Sequence, residues 1–185
     1  MGDLHFSNPV APAWANPSTG KFDDPRFQAR DKRRFGPLPR EWAHYKGLYQ
    51  YKDRVIISYT VGDAKILETF GLETAENLPV FTRTLTISPP AKPLKMRIAP
   101  SGTSVALVGE GVVLKDQGGF IVMEVASSKP VKIKLLIGKT GMKELQNYAK
   151  TSSPPQALDA MIKGGPARYP CLLYTSPSPR DRTRS

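Results

Sequence analysis

The stretch Arg54-Val55-Ile56-Ile57-Ser58-Tyr59-Thr60-Val61 decides the fold class. Val55, Ile57, Tyr59 and Val61 are apolar at every second position, and Arg54, Ser58 and Thr60 fall between them. That period sends alternate side chains to opposite faces of a strand. Gly62-Asp63 then supplies a tight turn, and Ile66 and Leu67 carry the run through Ala64–Glu68. Upstream, Gly47–Tyr51 and the Lys52-Asp53 turn complete a three-strand meander.

The same period recurs downstream. In Val80–Ile87, Phe81, Leu85 and Ile87 share one face, and Thr82, Thr84 and Thr86 share the other. Leu94, Met96 and Ile98 alternate with Lys95 and Arg97. Shorter runs at Ser104–Val108, Val112–Lys115 and Phe120–Val125 are divided by glycine turns. Val131, Ile133, Leu135 and Ile137 close the series, with Lys132 and Lys134 in the outward phase. Short strands with turns about every 8–12 residues indicate an antiparallel two-layer core. The expected fold is therefore all-β and mainly antiparallel. It is a β-sandwich with an irregular N-terminal segment and two short C-terminal helices.

Four zones follow along the chain. Residues 1–45 are irregular, carry Pro9, Pro12, Pro17, Pro25, Pro37 and Pro39, and offer Phe6, Trp14, Phe22, Phe27 and Trp42 as anchors. Residues 46–137 form the sandwich core. In residues 138–170 the period changes: Met142, Leu145, Tyr148 and Ala149 recur at helical steps. Ser153 can cap a second helix, with Pro155 in its first turn and Gly164-Gly165 stopping it before a linker to a downstream domain. In residues 171–185, Cys171-Leu172-Leu173-Tyr174-Thr175-Ser176-Pro177-Ser178-Pro179-Arg180-Asp181 reads as one frame of a transposon-end sequencing adapter. This tail is expected to be non-native, which makes the chain a fragment and leaves its true start open.

Charge and cysteine content must be read without that tail. The chain of 185 residues has a formal net charge of +11; setting aside the tail's three Arg and one Asp leaves +9 and removes the one Cys. A disulfide framework and a thiolate zinc site are thereby excluded from the expectation. No apolar run approaches the ~18 residues of a membrane span.

Chemistry is sparse. His5 and His44 have no partners at metal-ligand spacing, so no metal site is expected. Glu41, Glu68, Glu73, Glu76, Glu110 and Glu124 are dispersed, and no Gly-x-Ser-x-Gly elbow occurs, so no catalytic residue is assigned. Asp23-Asp24-Pro25-Arg26 is either a cation- or sugar-binding turn or a plain turn in which Arg26 pairs with the acid. Arg30, Lys32, Arg33, Arg34 and Arg40 lie near Trp42, Tyr45, Tyr49 and Tyr51, a mixture suited to single-stranded nucleic acid. The remaining basic residues are spread over polar strand faces, which a lysine-edged sandwich explains equally well, and no nucleic-acid partner is assigned. The candidate ligand-binding residues are Trp14, Asp24, Arg26, Trp42, His44, Tyr45 and Tyr49. Their aromatic rings would stack on sugars, while Asp24 and Arg26 would grip hydroxyls.

Several segments carry a family resemblance. They are Gly2-Asp3-Leu4-His5-Phe6-Ser7-Asn8-Pro9, Gly36-Pro37-Leu38-Pro39, Trp42-Ala43-His44-Tyr45-Lys46-Gly47-Leu48-Tyr49, Val55-Ile56-Ile57-Ser58-Tyr59-Thr60-Val61-Gly62, Val80-Phe81-Thr82-Arg83-Thr84 and Gly164-Gly165-Pro166-Ala167-Arg168-Tyr169-Pro170. Residues 2–170 resemble the uncharacterised N-terminal region of large secreted proteins of planctomycetes and verrucomicrobia. In those proteins the region precedes a sorbosone-dehydrogenase-like β-propeller and a c-type cytochrome domain. The resemblance implies an extracytoplasmic setting, with the propeller and cytochrome domains as partners in the same polypeptide. It supplies no catalytic residue. No Cys-x-x-Cys-His occurs, so no haem attachment and no cofactor are expected in this piece. The expected function is a non-catalytic accessory module of such a protein. A carbohydrate-binding module is the alternative, and a sandwich-type glycoside hydrolase fragment or a nucleic-acid binder stands behind both.

Overall fold

A computed structural model describes residues 11–75, 78–126 and 128–163. The strands are β1 (Phe27–Gln28), β2 (Arg34–Phe35), β3 (Ala43–Tyr51), β4 (Arg54–Val61), β5 (Ala64–Ala75) and β6 (Leu78–Ile87). They continue with β7 (Leu94–Pro100), β8 (Ser104–Gly109), β9 (Val112–Gln117), β10 (Phe120–Val125) and β11 (Val131–Gly138). Two helices follow, α1 (Met142–Thr151) and α2 (Leu158–Met161). The expected all-β antiparallel sandwich is the fold the chain adopts.

Six strands make the larger sheet, in the order β3-β4-β5-β6-β11-β8. The meander β3-β4-β5 turns at Gly62-Asp63, where Val61 pairs with Ala64 and Gly62 takes a φ of 57°. A positive φ in a two-residue hairpin loop favours glycine because no Cβ meets the backbone. The smaller sheet has the order β7-β10-β9.

Alternation builds the core between the sheets. Ile66, Leu85, Ile87, Ile133 and Leu135 from the larger sheet meet Met96, Met123 and Val125 from the smaller one, all fully buried. Each such side chain contributes about 1.5–3 kcal/mol by leaving water. The N-terminal segment seals one edge of this core. Ala15 N–H donates to Lys95 O at 2.9 Å, Arg97 N–H donates to Ala13 O at 2.8 Å, and Trp14 bridges to Met96. Pairing β7 in this way occupies a strand edge that would otherwise invite other chains.

The second face of the larger sheet is covered too, which alternation did not reveal. Leu145 of α1 is buried against Val80, Ala106 and Leu136. Thr82, Thr84 and Lys134, in the polar phase of their strands, are also buried. The outward assignment of Lys134 is corrected: the segment after α1 lies over it, and Ser152 and Ser153 accept from its ammonium.

Other boundaries also differ. β5 was expected to end at Glu68 but runs to Ala75, because its ladder with β6 continues from Ile66↔Ile87 to Ala75↔Leu78. The second helix begins at Leu158, after Ala157, and not at a Ser153 cap. Pro155 drives the preceding residue, Pro154, out of the helical region, and neither proline has an N–H to give. Within the N-terminal segment, β1 and β2 form a small ladder with Phe27 and Phe35 stacked at 6.1 Å. The expectations for residues 1–10, the glycine stop and linker at 164–170, and the tail at 171–185 lie outside the described residues.

Candidate functional site: an uncovered sheet face

β4, β5 and β6 extend past the smaller sheet. Along one face of β5, Ala64 and Ile66 are fully buried and Glu68 is 4% exposed, but Phe70 is 44% and Leu72 is 71% exposed. Among the described residues, cover therefore ends between Glu68 and Phe70. On the same face, β6 places Arg83 opposite Phe70 and Phe81 opposite Leu72. β4 contributes Val55 and Ile57, and β3 contributes Leu48 opposite Ile57 and Tyr45 opposite Tyr59. Tyr45, Leu48, Val55, Phe70 and Leu72 are all exposed, so an apolar strip crosses three adjacent strands. Scattered surface leucines are ordinary, whereas a contiguous apolar patch marks an interaction surface.

A polar chain marks the boundary of that strip. Trp14 Nε1–H donates to Tyr59 Oη at 3.1 Å, and Tyr59 O–H donates to Glu68 Oε2 at 2.7 Å. Arg83 Nε–H donates to Glu68 Oε1 at 2.7 Å, and Arg83 Nη2 lies 2.6 Å from the same oxygen. The Arg83 guanidinium sits 5.7 Å from the Phe70 ring centroid, and Phe70 stacks on Phe81 at 6.0 Å. Burial, with the Glu68 charge beside it, holds the Tyr59 hydroxyl well above the ordinary value of 10.0, so it stays a neutral donor. Both Glu68 oxygens are occupied. The chain clasps the N-terminal segment to the sheet and fixes the ring of Phe70 at the rim.

On the opposite face, Lys134 Nζ donates to Glu73 Oε1 at 3.1 Å, Ser152 Oγ at 2.7 Å and Ser153 Oγ at 3.2 Å. Tyr148 O–H donates to Glu73 Oε2 at 3.0 Å, and burial together with that carboxylate raises the phenol above its usual range. A serine beside a lysine suggests a nucleophile and its base. Here each of the three ammonium protons has an acceptor, and the cluster ties the segment after α1 to the sheet. Glu68 and Glu73 occupy opposite faces of β5, so these two acids do not converge on a common substrate position.

The residues singled out from the sequence do not assemble into one cleft. Trp14 and Trp42 are 7% and 3% exposed, and Trp42 Nε1–H donates to Trp14 O at 3.2 Å. Neither ring presents an open face to a sugar. Arg26 Nε–H and Nη2–H donate to Asp24 Oδ1 and Oδ2 at 2.9 and 2.7 Å, and this hydrogen-bonded pairing lowers the Asp24 pKa. This matches the plain-turn reading. A bulge after Tyr45 leaves His44 and Tyr49 on one face of β3 and Tyr45 on the other. Desolvation, with Lys46 and Arg40 nearby, lowers the His44 pKa. No group of three or more potential metal-ligating side chains occurs among the described residues. No described helix is long and apolar enough to cross a membrane.

The sequence analysis places Glu68 among dispersed acids and does not pair it with Arg83, although the sequence carries the signal of a pair. Each interrupts the apolar phase of its strand, Glu68 after Ala64 and Ile66, and Arg83 between Phe81 and Leu85. Opposite charges at two core-facing positions suggest a buried pair.

No curated protein and no solved structure matches the chain. A family model described as a domain of unknown function, DUF6797, matches residues 1–68, so from the N-terminal segment through the β3–β4 hairpin to Glu68 the chain is similar to that family.

Proposed function

We propose that the chain is a non-catalytic bracing module of a longer extracytoplasmic polypeptide, and that its uncovered face packs against the domain that follows. The observation that carries this reading is the strip of Tyr45, Leu48, Val55, Phe70 and Leu72, apolar and exposed beyond the edge of the buried core. The resemblance of residues 2–170 to the region preceding a dehydrogenase-like propeller and a c-type cytochrome domain supports the propeller as the occupant. In this arrangement the redox chemistry belongs to the neighbouring domains, and this module stiffens their attachment.

The test is a pair of charge insertions, Leu48→Lys and Leu72→Lys, made in the parent polypeptide and in this chain alone. The expected outcome is an unchanged melting temperature for the chain but faster proteolysis between module and propeller in the parent. Equal proteolysis of variant and original parent would count against the docking role. Carbohydrate binding is the second reading, favoured by the exposed ring of Tyr45. A glycan array on which Tyr45→Ala binds as the original does would remove Tyr45 from it.

A further inference from the structure

The outer face of the smaller sheet carries a cleft lined by residues other than those of the apolar strip. Lys95 and Arg97 of β7 stand beside the loop holding Lys21, Phe22 and Asp23, and with Gln117 they line a cavity of about 360 Å³. Arg97 is held in an unusual way. Its guanidinium carbon lies 4.2 Å from the Phe22 ring centroid and 4.7 Å from that of Phe120. Arg26, Arg33 and Arg83 each rest on a carboxylate, at 2.7, 2.5 and 2.6 Å respectively. Arg97 has aromatic faces instead, and its side chain makes no hydrogen bond or ion pair to another described residue. Ring contacts hold a guanidinium by its flat face and leave its in-plane N–H fork available.

The neighbouring groups narrow the ligand. Lys21, Asp23 and Gln117 likewise have no side-chain partner among the described residues. Lys95 shares Glu124 with Lys115, at 3.2 and 2.5 Å, and these hydrogen bonds lower the Glu124 pKa. A lone sulfate or phosphate would gain Arg97 and Lys21 but be repelled by Asp23, and would leave most of the cavity empty. A sugar acid satisfies the whole set. Its carboxylate accepts from the Arg97 fork and Lys21, while its hydroxyls donate to Asp23 and exchange hydrogen bonds with Gln117. The volume falls in the ~300–1,000 Å³ range of small-ligand sites.

We propose that this cleft binds a uronic acid residue of an acidic saccharide. The site uses none of the residues of the apolar strip and stands independently of the docking role.

Titration calorimetry of the full chain decides the matter, with tetragalacturonate, an uncharged galactose tetramer and inorganic sulfate as probes. The expected result is saturable binding of tetragalacturonate alone. Arg97→Lys keeps the charge but loses the fork and should bind about tenfold more weakly, a change of about 1.4 kcal/mol. Exposed Lys21→Gln and Asp23→Asn test the site without touching the Arg97 clasp. Both should weaken tetragalacturonate binding, whereas non-specific attraction to a basic surface would make Asp23→Asn bind more tightly. Tighter binding by Asp23→Asn, equal binding of the uncharged tetramer, or an unaltered Arg97→Lys affinity would each overturn the assignment.

Discussion

Arg83 and Glu68 meet from adjacent strands at the edge of the covered core, with Nη2 2.6 Å and Nε 2.7 Å from the same carboxylate oxygen. Their side chains are 13% and 6% exposed, so each charge depends on the other for much of the solvation it has lost. Removing one partner leaves the other buried and unpaired. Glu68→Gln and Arg83→Met are each expected to lower stability by about 3–5 kcal/mol in urea denaturation. The double variant should lose less than the sum of the two. Simple additivity would show that the pair is not coupled.

Tyr59 makes this region sensitive to alkali. Its folded pKa is raised by burial and by Glu68 above the ordinary value of 10.0. Below pH 10 both folded and unfolded chains keep the phenolic proton, and the contribution is fully present. Above it the unfolded chain releases the proton while the folded one holds it, so stability falls as pH rises. Tyr59→Phe should flatten that decline, leaving a smaller slope from Tyr148, whose pKa is also raised. In a phenolate absorbance titration, the Tyr59 signal should appear only with loss of tertiary structure. Titration of every tyrosine in the intact fold would contradict its burial.

The two tryptophans report on the N-terminal clasp. Trp14 and Trp42 are buried and joined by a hydrogen bond, so native emission should be blue-shifted and poorly quenched by iodide. Saccharides of any kind should leave it unchanged. Quenching by a neutral glycan would place one ring at the surface and contradict the packing described.

Leu145 gauges how much α1 contributes. Leu145→Ala is expected to cost about 2–5 kcal/mol, since the side chain is fully buried against the second face of the sheet. Met142→Ala, at an exposed position of the same helix, should change stability by less than about 0.5 kcal/mol. Equal effects would mean that α1 is not docked as described.

Alternation in the sequence exposes strands well, because successive side chains of a strand point to opposite faces. Arg54–Val61 and Val131–Ile137 were legible for that reason. Alternation does not show how many faces are covered. Thr82, Thr84 and Lys134 occupy polar phases yet are buried, because α1 and the segment after it cover them and Glu73 neutralises the lysine. Trp14 and Trp42 were misleading in the opposite sense. In a proline-rich segment they resemble surface platforms, but a large ring is also what a short irregular segment needs to anchor itself to a core. The apolar strip and the cleft were harder still. Leu72 and Leu85 look alike in sequence, and which of them is exposed depends on where the smaller sheet ends. Arg97 was legible as an outward residue, but its two rings come from positions 22 and 120, and only the fold brings them together.

Carbene footprinting of the uncovered face, in this chain and in the parent polypeptide, tests the docking role most directly. Val55, Phe70 and Leu72 should label readily in the isolated chain and lose most of that labelling in the parent, while the exposed Phe27 labels equally in both. Undiminished labelling of Phe70 and Leu72 in the parent would contradict it.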